Sequence, residues 1–473
     1  MKKLLFLLLP TLVFGQTHIH RSIQNNMSVI WSGGSLTIAD TIATFSTSAP
    51  DSIGRGVLIY YDSTGLNLLT NAVCFIKYRT SAKVFGVQRF NGSAPASVSG
   101  STSHSLIHPY TTWEGFHNGS ENTGIPILVR NFDTHTDGIN LDSRNWFMHI
   151  AMYSGSHDIT GTQGGDDINT SSTDRLEIYA PCGKKFVGVS QRHLGKLSFR
   201  GAVMTTTGNG FITNDDAGTR VFQHFDVNGI QVRVTSTTGG YGFQLGQVNE
   251  ACDITFSDCL FFGSDSVSTV SSVHVGLFWS GATAGSSVKI KNCLFSGWKT
   301  AGTTTREGGM MNICAASTGT TLINNCTFYK NEIAMLRLNV GNTFTVKNTI
   351  TQRAADGFNG GIGGNNNVSD ISGDCGSCTA NITGTVKFVS QSTGDFSLDA
   401  TDVVAVNAGA NLSGDALPVT TDVRCYSRSG TYDCGFYELE AVAGGCSTET
   451  DAVSSSAPSI LPVKALQRLR RSW

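Results

Sequence analysis

The most unusual cluster of charge in this sequence is basic. The whole chain is nearly balanced, with 33 Lys and Arg against 35 Asp and Glu. Within it, the stretch from 184 to 200 contains the potentially cationic side chains Lys184, Lys185, Arg192, His193, Lys196 and Arg200. Such an excess could bind an anionic ligand through charge-assisted hydrogen bonds. The alternative is an ordinary solvated face without a ligand.

Paired carboxylates are a second group of candidates. Asp166 and Asp167 lie in "TQGGDDINT", with Asp174 shortly after, and Asp215 and Asp216 lie in "ITNDDAGT". Neighbouring carboxylates can share general acid and base roles or bind Ca²⁺. We regard both Asp pairs as weak candidates for catalysis, and Asp166, Asp167 and Asp174 as weak candidates for Ca²⁺ binding. The competing interpretation is turn chemistry, which is common for Asp beside Gly or Asn.

A repeat predicts the elements that position these side chains. The segments "ITFSDCLFFG", "VKIKNCLFSG" and "TLINNCTFYK" place Cys259, Cys293 and Cys326 about 33 residues apart, a spacing typical of repeat architectures. Apolar residues alternate with period two on both sides of each cysteine, which indicates two short strands joined by a turn. The pattern extends to Leu197, Phe199, Ala202, Met204, Phe225, Val227, Ile230 and Val232, and to Phe344, Val346, Thr349 and Thr351. We therefore expect at least six stacked coils.

The cysteine and asparagine positions that recur in successive copies of the repeat have structural explanations. The three cysteines should stack at about 4.8 Å as buried thiols, because three stacked cysteines cannot all pair with one another. Asn292, Asn325 and Asn348 occupy the position before the turn, with Asp258 one coil earlier. Stacked side chains there can hydrogen-bond along the axis. Glycosylation of the sequon at Asn325 is the alternative.

The remaining cysteines allow fewer conclusions. Cys425 and Cys434 are candidates for a bridged loop. The motif "CGSC" at Cys375 and Cys378 is a weak redox or metal signal, and zinc is disfavoured because no second cysteine pair or nearby histidine accompanies it.

The coils resemble the right-handed parallel β-helix proteins of the pectin-lyase-like class. The segments "DFSLDATDVVAVNAGANL" and "TDVRCYSRSGTYDCGFYELE" are similar to the closing segment of many secreted β-helix proteins. The matching residues are Asp395, Phe396, Leu398, Asn407, Gly409, Asp422, Arg424, Asp433, Gly435, Tyr437 and Glu438. Val403, Val404 and Cys434 depart from that pattern. The resemblance implies an all-β solenoid, and the charged fraction of 14%, against about 25% in an average domain, is in keeping with it.

The ends of the chain differ from the repeats. "MKKLLFLLLPTLVFGQ" combines Lys2 and Lys3 with an apolar run, which is typical of a secretory signal peptide. Translation from Met27 would remove this signal. We expect a signal peptide over 1–16, a small β module or cap over 17–105, a parallel β-helix over 106–385, a closing segment over 386–445 and a Ser-rich linker with a basic tail over 446–473. No later stretch is apolar for long enough to span a membrane.

The resemblance implies a secreted or cell-surface protein that recognises polysaccharide. β-helix enzymes that cut acidic glycans commonly combine bound Ca²⁺ with a Lys or Arg base, and related hydrolases use clustered Asp. Neither signature is recognisable here, so no catalytic residue is carried over and cleavage, as a lyase or a glycoside hydrolase, is left open. The basic stretch favours an anionic glycan. The alternative is a non-catalytic adhesin, envelope or virion-spike type protein, and the pI of about 6.6 disfavours nucleic acid.

Overall fold

Parallel β-sheets dominate the structure. The computed structural model describes residues 16–61, 72–133, 139–160, 168–196, 201–213, 224–236, 238–246, 251–264, 274–280, 284–299, 307–313, 319–338 and 341–439. The longest sheets in these ranges are three parallel sheets, which we name S1, S2 and S3. None of the helices in these ranges is long and apolar enough to cross a membrane.

The strands of each sheet follow one another in chain order. Those of S1 are β1 (Thr17–Ile23), β10 (Trp146–Met152), β13 (Leu176–Tyr179), β16 (His224–Asn228), β19 (Asp253–Ser257), β22 (Ser287–Lys291), β25 (Thr320–Asn324), β28 (Thr343–Lys347), β31 (Gly363–Asn365) and β33 (Ser377–Thr379). Those of S2 are β11 (Gly155–Asp158), β14 (Ala202–Thr206), β17 (Gln231–Val234), β20 (Leu260–Phe262), β23 (Leu294–Ser296), β26 (Thr327–Tyr329), β29 (Ile350–Gln352), β32 (Val368–Ser369) and β34 (Ile382–Thr383). Those of S3 are β15 (Phe211–Thr213), β18 (Gly240–Leu245), β21 (His274–Trp279), β24 (Glu307–Asn312), β27 (Ile333–Arg337) and β30 (Asp356–Asn359).

Shorter elements flank these sheets. The remaining helices and strands outside the N-terminal module are α1 (Trp113–His117), α2 (Leu141–Arg144), the 3₁₀ turns Ile127–Val129 and Gln391–Thr393, the parallel pair β9 (Ile139–Asn140) and β12 (Ile168–Asn169), and the antiparallel pair β35 (Phe388–Ser390) and β36 (Asp395–Leu398).

One coil consists of an S1 strand, a tight turn, an S2 strand and an S3 strand. Successive coils pair in register, so that Phe256 of β19 lies between Val227 of β16 and Ile290 of β22. Parallel, in-register pairing of this kind defines a parallel β-helix. The predicted all-β solenoid is therefore confirmed, and the described strands of S1 exceed the six coils expected from the repeat.

The columns predicted to be apolar face the interior. Phe261, Phe295 and Phe328 stack on S2 with ring centroids 4.5 and 4.8 Å apart. Cys259, Cys293 and Cys326 are buried free thiols stacked inside the turn, as predicted. Such columns bury each coil against its neighbours, which is how a solenoid stabilises itself.

One part of the predicted register is different. The S1 partner of β16 is β13, through Leu176 and Ile178, and not the segment containing Leu197 and Phe199, which lies outside the described residues. The insertion between β13 and β14 explains the difference, because it separates an S1 strand from the S2 strand of the same coil.

The polar column of the repeat forms the turns between S1 and S2. Asp258, Asn292, Asn325 and Asn348 have φ between 51° and 55°, a left-handed conformation that Asn and Asp tolerate better than other residues with a side chain. Asn292 donates to Asp258 at 3.0 Å, and Asn348 donates to Asn325 at 3.3 Å. The predicted ladder is confirmed, and burial of Asn325 makes its side chain inaccessible to glycosylation in the folded protein.

The closing segment packs along the side of the solenoid. Two amides of the turn ladder donate to backbone carbonyls of the closing segment. Asn325 donates to the carbonyl of Asp433, and Asn348 donates to that of Ala410. Apolar residues of this segment cover the outer side of S2, namely Val386, Phe388, Phe396, Leu398, Val423 and Phe436. Cys425 and Cys434 are not bonded to each other, so the expected bridged loop is not formed, whereas Cys375 and Cys378 form a disulfide.

The residues that carry the family resemblance hold the closing segment together. Asp422 accepts from the backbone N–H groups of Arg424 and Tyr426, and its carboxylate pairs with the Arg424 guanidinium. Asp433 accepts from the N–H of Asn407 at 2.7 Å. These residues are therefore structural.

An antiparallel sheet packs against the start of the solenoid and forms the N-terminal module. Its strands in spatial order are β7 (Val98–Ser101), β2 (Leu36–Ala39), β3 (Ile42–Phe45), β6 (Val84–Gln88), β5 (Val73–Arg79), β4 (Leu58–Tyr61) and β8 (His104–Ile107). The strand β1, which precedes them, is not part of this module, although the boundary at residue 17 placed it there. It pairs with β10 in S1 because Ile19 and Ile23 belong to the solenoid core.

Candidate functional site

The outer sides of the three sheets differ in what covers them. The closing segment covers S2. The outer side of S3 carries buried apolar residues, among them Val275, Phe278, Met311 and Leu336. The start of S1 contacts the N-terminal module through Ala151 and Tyr179. The centre of S1 is different, because its outward side chains are polar and partly exposed.

We call this central surface the open face and define it by Arg175, His224, Asp226, Asp253, Ser287 and Lys289. These residues alternate with inward residues such as Phe225, Ile254 and Val288, as the period of a strand requires. Asp253 is in register with His224 and Ser287 on the neighbouring strands. All six residues lie in the described ranges, and none of them is buried.

Arg175 connects two carboxylates of the open face. Its guanidinium donates to Asp226 at 2.8 and 3.0 Å and to Asp253 at 3.1 Å. Asp253 also accepts from Ser287 at 2.6 Å and from Lys289 at 2.7 Å. The network therefore pairs two cations with two anions across four coils.

The network determines the protonation of its members. Burial opposes ionisation of Asp253, but hydrogen bonds from Lys289 and Ser287 and the charge of Arg175 lower its pKa below the usual value. Partial burial, followed by the charge of Arg175, lowers the pKa of His224. At neutral pH the open face thus presents a carboxylate at Asp253 and a neutral imidazole at His224, whose Nδ1 has no hydrogen-bond partner among the described residues.

Such a surface is suited to a repeating polar polymer. Hydrogen-bond donors and acceptors recur on successive strands at about 4.8 Å. Sequence reasoning did not identify these residues. The signal was present, since Asp226, Thr255 and Lys289 occupy the same outward column of successive coils, but such a polar column is also what any solvent-facing sheet shows.

The structure describes five of the six predicted basic residues and does not expose all five on one surface. Arg192 and His193 are buried. Arg192 pairs with Asp258 at 3.2 Å and donates to Asn228 and to Cys425 of the closing segment. His193 contacts the carbonyl of Asp258, and burial lowers its pKa to about 3. Both side chains are therefore structural, because their positions at the turn ladder leave them inaccessible to a glycan.

Three other members of that group are exposed to solvent. Lys184 and Lys185 are exposed at a turn whose backbone accepts from Arg79 of the N-terminal module. Lys196 is half exposed and pairs with Asp395 at 3.4 Å. Arg200 lies outside the described residues. The candidates with access to solvent are thus Lys184, Lys185 and Lys196.

The acidic candidates are only partly described. Asp166, Asp167, Asp215 and Asp216 lie outside the described residues. Asp174 is buried, and its carboxylate accepts from Ser171 and Thr173 at 2.9 Å, which is the geometry of a turn. No group of three or more His, Cys, Asp or Glu with metal-binding geometry occurs among the residues that the structure describes.

Comparisons with known proteins concern the fold alone. No family model and no curated protein matches the chain. The structure is similar to that of pectate lyase Pel9A, with 14% identity and a TM-score of 0.29, over 62% of this chain and 88% of that one. It is also similar to the tailspike protein gp49 from Pseudomonas phage LKA1, with 11% identity and a TM-score of 0.15, over 79% of this chain and 64% of that one. The parallel β-helix assignment rests on the strand register described above.

Proposed function

We propose that this protein is exported and binds an extracellular polysaccharide along the open face. The observation that carries the proposal is the uncovered, charge-paired centre of S1, beside two sheets whose outer sides are buried. Apolar side chains at the same outward positions would have indicated a buried contact. Polar groups repeated from coil to coil instead match the repeated hydroxyl groups of a glycan.

An anionic glycan would gain binding energy from a second surface, the turn that carries Lys184 and Lys185. Lys184 and Lys185 are exposed, so this turn can attract a uronate or sulfate group without displacing the open-face network. On the open face itself Arg175 and Lys289 are already paired with carboxylates. We therefore propose that the open face supplies hydrogen bonds, and that Lys184 and Lys185 supply any preference for acidic chains, since Lys196, like Arg175 and Lys289, is paired with a carboxylate.

The second candidate function is recognition without cleavage, as in an adhesin or spike. One feature of the open face favours it. Asp253 is held in its ionised form, so it is unable to act as the general acid that glycosidic cleavage by paired carboxylates requires.

Retention on immobilised polysaccharides tests the proposal. The Thr255→Trp variant places a bulky side chain in the middle of the open face and should reduce retention at least tenfold. The matched control is Thr44→Trp, since Thr44 is an exposed strand residue of the N-terminal module. Polygalacturonate, alginate, xylan and carboxymethylcellulose cover acidic and neutral chains.

Salt and lysine variants separate the two surfaces. Replacing Lys184 and Lys185 with Ala should weaken retention on the acidic chains polygalacturonate, alginate and carboxymethylcellulose but not on xylan. Added salt should have the same effect, because exposed charges are screened beyond about 10 Å at 0.1 M. Equal retention of Thr255→Trp and the unmodified protein would refute the open-face proposal.

A further inference from the structure

The disulfide between Cys375 and Cys378 lies at the C-terminal end of the solenoid. Cys378 belongs to β33, the last strand of S1, where it continues the inward column of Val346 and Gly364. Cys375 lies in the loop before β33 and packs against the solenoid core. The inward column of S1 therefore ends on a disulfide and not on an apolar side chain.

This disulfide differs in exposure from the other cysteines that the structure describes. Cys375 and Cys378 are partly exposed, and Gly376 and Ser377 between them are exposed. The other described cysteines are buried. Exposed disulfides are in general more easily reduced by thiols than buried ones. A thiol in solution can therefore reach this pair before any other cysteine in the described ranges.

The disulfide closes a loop too short to contribute much to folding. Its cysteines are only three positions apart, and the stabilisation by a disulfide grows with the length of the loop that it closes. Other bonds already hold the preceding loop. Asp374 accepts from the Ser369 hydroxyl at 2.5 Å and from the N–H of Gly357 at 3.1 Å. Asp370 accepts from the N–H of Arg353 at 2.9 Å. We therefore expect the fold to survive reduction of this bond.

The surroundings of the two sulfur atoms suit both oxidation states. Sγ of Cys375 lies 3.3 Å from the carbonyl oxygen of Ile362, and Sγ of Cys378 lies 3.7 Å from the same oxygen. A thiol is a weak donor, so this carbonyl can accept from either cysteine after reduction. The side-chain amide of Asn367 lies 3.8 Å from Sγ of Cys378 and can donate to a thiolate there. Cys378 is thus the better leaving group, and Cys375 is the sulfur that a thiolate attacks.

A cavity of about 230 Å³ opens beside the disulfide. Its lining includes both cysteines, the apolar side chains of Phe358, Ile371 and Ile382, and the carboxyl group of Asp374. A water molecule takes up about 30 Å³ in the liquid, so a cavity of this size has room for a small organic thiol. Asp374 is the charged residue among the described residues that line it. Its carboxylate favours cationic molecules over anionic ones.

We propose that Cys375 and Cys378 form a thiol–disulfide exchange site for small thiols, with a preference for cationic over anionic ones. The inference is independent of glycan binding, because the site lies four strands beyond β22, the last strand of the open face, in S1.

The reaction balances with two thiols as the reductant. The thiolate of the first thiol attacks Sγ of Cys375, the S–S bond breaks, and its electron pair stays on Sγ of Cys378. The thiolate of the second attacks the sulfur of the first, which forms a small disulfide and releases Cys375. Both cysteines take up the protons that the two thiols lost. The protein disulfide is thereby reduced, and the two thiols are oxidised.

Reduction of the full-length, folded protein tests the site. Cysteamine carries an ammonium group, and 2-mercaptoethanesulfonate carries a sulfonate on a chain of the same length. Alkylation and mass mapping give the fraction of Cys375 and Cys378 reduced with time. Each rate is divided by the rate of the same thiol with the neutral disulfide of 2-mercaptoethanol. At low salt this relative rate should be at least about threefold higher for cysteamine, as expected for opposite charges acting near one carboxylate.

A matched pair of variants assigns the preference to the cavity. Asp374→Asn should bring the two relative rates close together. Asp370→Asn removes a carboxylate of the same loop that does not line the cavity, and it should leave the preference unchanged. Added salt provides the same test without a substitution, because the preference should fall as the charges are screened. A preference that is absent at low salt, or unchanged by both Asp374→Asn and salt, would overturn the assignment of thiol binding to this cavity.

The state of the fold separates an exchange site from a structural bond. Circular dichroism should show the β-sheet signal retained after reduction, and cystamine should restore the disulfide. A bond that resists both thiols in the folded protein, or that is reduced only as the protein unfolds, would overturn the exchange site. Retention on polysaccharides should be the same before and after reduction. Loss of retention on reduction would contradict the independence of the two sites, whereas a protein that retains no polysaccharide but exchanges thiols would overturn the proposed function alone.

Discussion

At the scale of single residues, Asn325 both adopts the left-handed conformation of the turn and forms hydrogen bonds through its side chain. Asn325 adopts φ of 51°, and its amide donates to the carbonyl of Asp433 at 3.0 Å while its oxygen accepts from Asn348 at 3.3 Å. A short polar side chain is suited to both tasks. Burial alone would permit an apolar residue at this position. The conformation and the hydrogen bonds explain why Asn recurs there in the repeat.

Replacement of Asn325 by Ala should therefore destabilise the protein by about 2–4 kcal/mol. The left-handed conformation costs about 1–2 kcal/mol for residues other than Gly, and each buried polar group left without a partner costs about 1–3 kcal/mol. Urea unfolding of Asn325→Ala, compared with Asn411→Ala at an exposed position of the closing segment, measures the effect. Equal midpoints would show that the ladder does not hold the closing segment.

At the scale of strands, alternation decides which face of a coil is inside. In β25, Ile323 is fully buried and in register with Ile290 and Val346, whereas its neighbour Leu322 points outward and is partly exposed. The two residues have similar apolar side chains. Their surroundings differ because adjacent residues of a strand face opposite sides.

A matched pair of substitutions tests this assignment. Ile323→Asp buries a charge without a partner and should cost more than about 4 kcal/mol or abolish folding. Leu322→Asp places the same charge at an outward position and should change stability by less than about 1 kcal/mol. Thermal unfolding of the two variants is the measurement, and similar losses of stability would contradict the register of β25.

Period-two alternation explains what could be predicted from sequence. It revealed the coils around Cys259, Cys293 and Cys326, because each coil buries its face on its neighbours and repeats their pattern. It did not reveal that β1 joins S1, that Arg192 reaches Cys425, or that His18 meets His149. These contacts join residues far apart in the chain, and no local pattern in either partner specifies the other.

At the scale of the whole molecule, buried histidines lie where separate parts of the chain meet. His108 bonds to Ser22 at 2.8 Å, between the N-terminal module and the first strand of S1. His193 bonds to the turn ladder beneath the closing segment. Burial lowers the pKa of His108 and of His193 to about 3, and that of His274 to about 4. Each is therefore neutral in the folded protein over most of the acidic range.

Stability should consequently fall as the pH drops below about 6.5, the ordinary value for His. The unfolded chain takes up protons there that the folded chain excludes, so the free energy of unfolding decreases by up to about 1.4 kcal/mol per pH unit for each such histidine. Glu121 acts in the opposite sense, because burial raises its pKa to about 7, and its contribution is lost as the pH rises from about 4.5 to 7. Its window overlaps that of the histidines, so it offsets about one of the three between pH 4.5 and 6.5, and a net loss of stability towards acidic pH remains.

Urea unfolding between pH 4 and 8 measures this linkage, and His108→Gln identifies its source. The glutamine amide can keep a hydrogen bond to Ser22, but it does not take up a proton on unfolding. The variant should therefore lose stability less steeply below pH 6.5, with a slope reduced by about one proton, or about 1.4 kcal/mol per pH unit. An unchanged slope would mean that His108 is already protonated in the folded protein, and that the junction between the module and the solenoid tolerates the charge.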